Sequence, residues 1–125
     1  MAISKFGLKA PVYCTLPVLK MGQMTLYEAF QNRSMGGEFT AFSLDDVDEA
    51  FGRIITLKYS QNIVLSKNGE TVMLTPMHAG HRIGSTVWKL RKEATDVIYA
   101  TSFNLRREST LYGCALHTQK NASLF

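Results

Sequence analysis

The hydrophobic pattern changes its period once, near Ile54, and this limits the fold more than any other feature of the chain. Before that point apolar residues recur at helical spacing. Val18, Met21, Met24 and Tyr27 follow one another three apart, with Phe30 completing the stripe. That spacing marks one face of a helix and predicts one over about residues 17–32. Pro17 suits its first turn, where the missing N–H leaves nothing unpaired, while Gly22 weakens its middle. Ahead of it, residues 10–16 are short, apolar and rich in β-branched and aromatic side chains, as in a buried strand. Met35-Gly36-Gly37 is a break. A second helix is predicted over residues 44–53. Ser43 can cap it, and Asp45, Asp46 and Asp48 favour the positive end of its dipole. Leu44, Val47, Ala50, Phe51 and Ile54 form its apolar face, predicted to pack on a sheet.

Beyond Ile54 the pattern becomes that of strands, over residues 54–59, 61–66, 71–76, 85–91 and 96–102. Asn68-Gly69 is a hairpin turn signal and residues 92–95 form a second, charged turn. The second half therefore reads as a largely antiparallel meander. Helices early and strands late predict an α+β fold, or one part of a layered α/β sandwich. A length of 125 residues allows one small domain, and 46% hydrophobic against 19% charged residues suits a packed core.

Several classes are disfavoured. The longest stretches without Asp, Glu, Lys or Arg, residues 71–81 and 109–119, fall far short of the roughly 18 apolar residues of a membrane span. Pro11 and Pro17 interrupt the apolar run that a signal peptide would need, so a soluble intracellular protein without membrane contact is expected. Cys14 and Cys114 form no CxxC pair, which points away from a zinc ribbon or redox dithiol. Neither a GxSxG elbow nor a P-loop nor a GxGxxG after a strand occurs.

Charge is uneven. Residues 1–52 hold four Lys/Arg against six Asp/Glu, and residues 53–125 hold ten against four. A basic half can meet nucleic acid or an acidic partner, or be no more than a solvated surface. Lys89, Arg91, Arg106 and Arg107, with Lys92 close by, are the candidates for phosphate contact. Their segments can face different ways, so one patch is not required.

Of three histidines, His78 and His81 share the run Met77-His-Ala-Gly-His-Arg-Ile-Gly just past a predicted strand, and His117 stands apart. Loops at strand ends present ligands, neutral imidazole binds zinc, and Gly80 and Gly84 allow tight turns. Two histidines three apart nevertheless make at most half of a metal site, and hydrogen-bonded loop histidines explain them better.

Longer stretches carry more information. Residues 12–24 (VYCTLPVLKMGQM), 42–51 (FSLDDVDEAF), 57–61 (LKYSQ), 79–90 (AGHRIGSTVWKL), 97–100 (VIYA), Phe103-Asn104 and 111–114 (LYGC) keep their order and spacing. Together they resemble the subunit 2 family of the cleavage and polyadenylation specificity factor, a branch of the metallo-β-lactamase and β-CASP group. The resemblance implies part of an αββα sandwich, residues 1–125 forming a partial domain without the first metal-binding loop and the β-CASP insert. Such a piece of sheet is expected to be marginally stable or self-associating unless a partner covers it.

Active members of the group hold two zinc ions with an HxHxDH loop, a later histidine and a bridging aspartate, and the metals activate water for attack on a phosphodiester. Here the resemblance places His81 at the later histidine, as a vestigial ligand with His78 beside it. Ser102 stands where the aspartate belongs, and no HxHxDH occurs. The resemblance thus implies a nuclear, non-catalytic scaffold that needs no cofactor. It would work in pre-mRNA 3′-end processing beside a catalytic endonuclease sister subunit and other processing factors, with RNA as a further partner. The alternative is a fragment of an active zinc-dependent RNA endonuclease whose other ligands lie outside these residues.

Overall fold

A computed structural model describes residues 3, 6–67, 69–114, 116–119 and 122–124. The chain has an α/β fold and divides into two compact units, residues 1–56 and 57–125, close to the predicted change of period. No helix among the described residues is long and apolar enough to cross a membrane.

In the first unit, strand β1 (Val12–Thr15) runs directly into helix α1 (Leu16–Ser34), with Pro17 in its opening turn. Helix α2 (Leu44–Gly52) begins with a reciprocal capping box. The Asp46 N–H donates to Ser43 Oγ at 3.1 Å, and the Ser43 N–H donates to Asp46 Oδ2 at 2.8 Å. Two donors that the first turn would otherwise leave unpaired are thus satisfied. Strand β2 (Ile54–Leu57) pairs with β1.

Helix α2 packs on α1, and its predicted apolar face supplies its buried residues. Val47 and Ala50 of that face are buried, and Phe42 is buried beside them in sequence. Phe30, Phe39 and Phe42 form a cluster with ring centroids 5.1–6.0 Å apart, Phe39 edge-on to both partners. Asp48 leaves the capping group: it accepts hydrogen bonds from Gln23 Nε2 at 2.9 Å and from the Tyr27 hydroxyl, and that bond raises the pKa of Tyr27. The packed face of α1 is therefore Gly22, Gln23, Tyr27 and Phe30, while Met21 and Met24 of the predicted stripe are 58% and 69% exposed. Gly22 has a use here, since a Cβ would lie 3.3 Å from the Phe51 ring.

The second unit is a five-stranded sheet in the order β3-β4-β5-β6-β7. Its strands are β3 (Ile63–Lys67), β4 (Glu70–His78), β5 (Thr86–Lys92), β6 (Thr95–Tyr99) and β7 (Ala122–Leu124). The first three pairings form the predicted antiparallel meander, and β7 joins β6 in parallel. Gly69 turns with φ of 81°, and Asn68 lies outside the described residues. The charged turn forms as predicted, with Glu93 carrying a positive φ of 54°.

Because side chains alternate along a strand, Val87, Lys89 and Arg91 share one face of β5. That face is apolar at one end and charged at the other. Val87 belongs to a buried cluster with Ala79, Ile98 and Cys114, with Met77, Ala100 and Leu116 packed around it. The cluster lies under the ends of the strands that lead into the histidine loop. Strand β6 stops at Tyr99, earlier than predicted, so Ser102 sits in a loop.

Candidate functional site

Two loops leave the end of the sheet above the buried cluster. The first runs from Ala79 to Ser85 between β4 and β5, and carries His81. Ser85 closes it. Its hydroxyl accepts from the Arg82 N–H at 3.0 Å and donates to the Arg82 carbonyl at 2.8 Å, and the Ala79 N–H donates to the Ser85 carbonyl at 3.1 Å. The second follows β6 and carries Ser102.

Backbone hydrogen bonds join the two. The Asn104 N–H donates to Ala79 O at 2.9 Å, and the Cys114 N–H donates to Asn104 O at 2.7 Å. Gly80 makes this approach possible. Its φ is +70°, and a Cβ there would lie 2.7–2.8 Å from Asn104 O, Cys114 N and Tyr112 O. Gly113 is equally confined, because a Cβ would collide with Leu105 O. The rest of the second loop folds on itself, with Asn104 Nδ2 donating to Glu108 Oε1 at 3.0 Å and the Arg106 N–H donating to Asn104 Oδ1 at 3.0 Å.

His78 and His81 have different settings. His78 ends β4 opposite Thr86, its ring edge-on to Tyr59 with centroids 6.0 Å apart. Its Nδ1 is buried and has no hydrogen-bond partner among the described residues. The Tyr59 hydroxyl donates to Ser85 O at 3.1 Å, and burial pushes the phenol's pKa up. His81 is exposed, as is Ser102. The meeting point of Ala79 and Asn104 brings their loops together, two residues from each. The side chain of His117 lies outside the described residues.

These donors do not fit a two-metal centre. Among the described residues no group of three His, Cys, Asp or Glu is placed to hold a metal ion. Cys114 is the thiol that the loop pair carries, but it is buried and burial raises its pKa, which favours the thiol over the metal-binding thiolate. The Ser102 hydroxyl is neutral and a poor substitute for a carboxylate between two dications.

The four basic candidates divide into two pairs. Lys89 and Arg91 line a shallow groove on the sheet with Asn62, Thr75 and Gln119. Neither cation stands alone. Asp96 receives two hydrogen bonds from Arg91, at 2.5 and 2.7 Å, and lies 3.1 Å from Lys89 Nζ. The Arg91 guanidinium first, and then Lys89, hold the Asp96 carboxyl well below the usual carboxylate range. Arg106 and Arg107 are on the second loop, outside that groove and exposed, with Arg107 stacked 5.2 Å over the Tyr112 ring.

Sequence reasoning missed Tyr59, Asn104 and Asp96. Asp96 was within reach, since the turn over residues 92–95 puts Arg91 opposite it in register. Asn104 gave no such signal, because its backbone does the joining.

Comparison with known proteins adds to this geometry. Residues 1–124 match the metallo-beta-lactamase superfamily domain. The chain is 46% identical over 98% of its length to a probable cleavage and polyadenylation specificity factor subunit 2 of Drosophila melanogaster. It is 48% identical over 92% of its length to cleavage and polyadenylation specificity factor subunit 2 of Oryza sativa, and 44% identical over 94% to that of Arabidopsis thaliana. In each case the chain spans 16% of the curated relative.

Proposed function

The chain belongs to the metallo-β-lactamase superfamily, and we propose that it is a non-catalytic scaffold segment of the pre-mRNA 3′-end cleavage and polyadenylation complex. The names of the similar proteins support the setting. Ser102 supports the absence of catalysis. It occupies the position at which the resemblance requires a metal-bridging carboxylate, and it lies in an exposed loop. His81 then remains as a vestigial ligand that carries no metal in function. The segment acts in the nucleus by pairing with a catalytic endonuclease sister subunit and other 3′-end processing factors, and it contacts RNA through basic side chains.

Two assays test this reading. The purified chain, given zinc and an RNA that contains a cleavage site, is expected to leave the RNA intact. Tagged chain in nuclear extract is expected to co-purify with a metallo-β-lactamase-type endonuclease. Failure to co-purify, or zinc-dependent cleavage that His81→Ala abolishes, overturns the proposal. The second outcome would favour an active zinc-dependent RNA endonuclease. One observation speaks for that alternative: the buried, unpartnered Nδ1 of His78, three positions before His81.

A further inference from the structure

Six arginines occur in the chain, and four of them precede a hydroxyl residue by three positions: Arg53 before Thr56, Arg82 before Ser85, Arg106 before Ser109 and Arg107 before Thr110. This is the spacing that basophilic serine/threonine kinases read, because guanidinium groups pair well with carboxylates and kinases select substrates by charge pattern. Ser109 alone of these four hydroxyls has a second arginine, Arg107, at two positions before it.

The structure separates the four sites. Thr56 is held in strand β2, whose backbone is committed to pairing with β1. Ser85 is only partly accessible, and its hydroxyl is occupied on both sides by Arg82. By contrast, Arg106, Arg107, Ser109 and Thr110 are all exposed, in a segment with neither helix nor strand. A short turn holds Ser109, closed by the Glu108 N–H donating to Leu111 O at 2.9 Å. Loop segments of this kind open locally at low cost, and a kinase needs an extended acceptor.

From this placement we infer that Ser109 is a phosphorylation site for a basophilic serine/threonine kinase. The γ-phosphoryl group of ATP moves to Ser109 Oγ. The hydroxyl proton is released, the bond from the γ-phosphorus to its bridging oxygen breaks, and ADP leaves. A phosphoserine carries about −1.5 to −2 charges at neutral pH, enough to reverse the net charge of the Arg106-Arg107-Glu108 tip.

The test uses the folded chain, ATP, magnesium and the catalytic subunit of cyclic-AMP-dependent protein kinase as the probe. Mass spectrometry is expected to show one phosphoryl group, located at Ser109 by peptide fragmentation. Ser109→Ala should abolish it, Thr110→Ala should leave it, and Arg106→Ala should slow it by about tenfold or more as one charge-assisted contact is lost. Ser109→Thr controls for the fold, since it retains a hydroxyl at the same place and should still be modified. Modification of Thr110, Ser85 or Thr56 in place of Ser109 overturns the inference. So does indifference to Arg106→Ala, or incorporation seen only after the chain has been unfolded.

Discussion

The Asn104 N–H donates to the Ala79 carbonyl across 2.9 Å, and this bond joins the histidine loop to the loop that carries Ser102. Gly80 stands beside it with φ of +70°, and a Cβ on it would clash with three backbone atoms at 2.7–2.8 Å. A methyl group there meets both a left-handed backbone and backbone atoms that cannot rotate away. Gly80→Ala is expected to cost about 3 kcal/mol or more. Gly69, with φ of +81° and open space around it, is the control. Gly69→Ala should cost only the conformational share, about 1–2 kcal/mol. Urea denaturation of both variants checks the ranking, and equal losses would mean that the loops give way easily.

Metal removal is the second check. A ligand that binds only the folded state, present at one hundred times its Kd, adds about 2.7 kcal/mol of stability. Because the described donors do not assemble three ligands, neither zinc nor a chelator is expected to shift the melting temperature. Ser102→Asp should not change this, since it adds one carboxylate on the loop joined to that of His81 and still leaves the set short. Tight zinc binding by the wild-type chain in calorimetry would contradict the scaffold reading.

The third prediction concerns pH. Arg91 and Lys89 depress the pKa of Asp96 below its unfolded value. A depressed carboxylate contributes stability that is fully present above the unfolded pKa, near 3.9, and is lost as pH falls through the folded value. Asp96→Asn removes that contribution. The stability difference between wild type and variant should therefore be flat from about pH 5 to pH 8 and shrink below about pH 4. Urea titrations across that range read it directly, and a difference that persists unchanged at low pH would assign the effect to packing.

Glu93 holds a positive φ of 54° in the turn between β5 and β6. Such a conformation costs an ordinary L-residue about 1–2 kcal/mol, and asparagine tolerates it better because its short amide bonds locally. Glu93→Asn is expected to stabilise the chain by about 0.5–1 kcal/mol, without the extra unfolded-state entropy that glycine brings. Thermal melts test this. A loss of stability would show that the Glu93 side chain does more than tolerate its turn.

Most elements were legible in the sequence, because period and capping residues are local signals. Ser43 and Asp46 marked the start of α2, and the charged turn at residues 92–95 fixed the hairpin that follows β5. The packed face of α1 was only partly legible. Tyr27 and Phe30 of the predicted stripe do pack, but Met21 and Met24 are exposed, because the choice between neighbouring stripes depends on a partner, here Phe51 against Gly22 and Asp48 against Tyr27. Strand β7 escaped notice because three residues, Ala122–Leu124, are too few to show a period. In the candidate site, His78 and His81 were singled out by residue type, by their place just past a predicted strand and by the resemblance. The contact that unites their loop with Ser102 runs through the backbone of Ala79 and Asn104, which side-chain chemistry cannot reveal.

The basic residues give the last prediction. Lys89 and Arg91 look like phosphate ligands in the sequence, yet Asp96 already engages both. A phosphate that approached them would have to displace or tolerate that carboxylate. Arg106 and Arg107 are exposed, and Arg107 stacks on Tyr112, which leaves the edge of its guanidinium for an anion. In binding to a short oligoribonucleotide, Arg106→Ala and Arg107→Ala are each expected to weaken affinity and to lower the slope of log K against log salt by about 0.7–1. Lys89→Ala and Arg91→Ala should change the slope little. Asp96→Asn separates screening from distance: it frees both cations and should raise affinity if the groove can receive a phosphate. Fluorescence anisotropy at several salt concentrations distinguishes these outcomes. A slope that falls with Lys89 and Arg91 but not with Arg106 and Arg107 would move the RNA contact from the loop to the sheet.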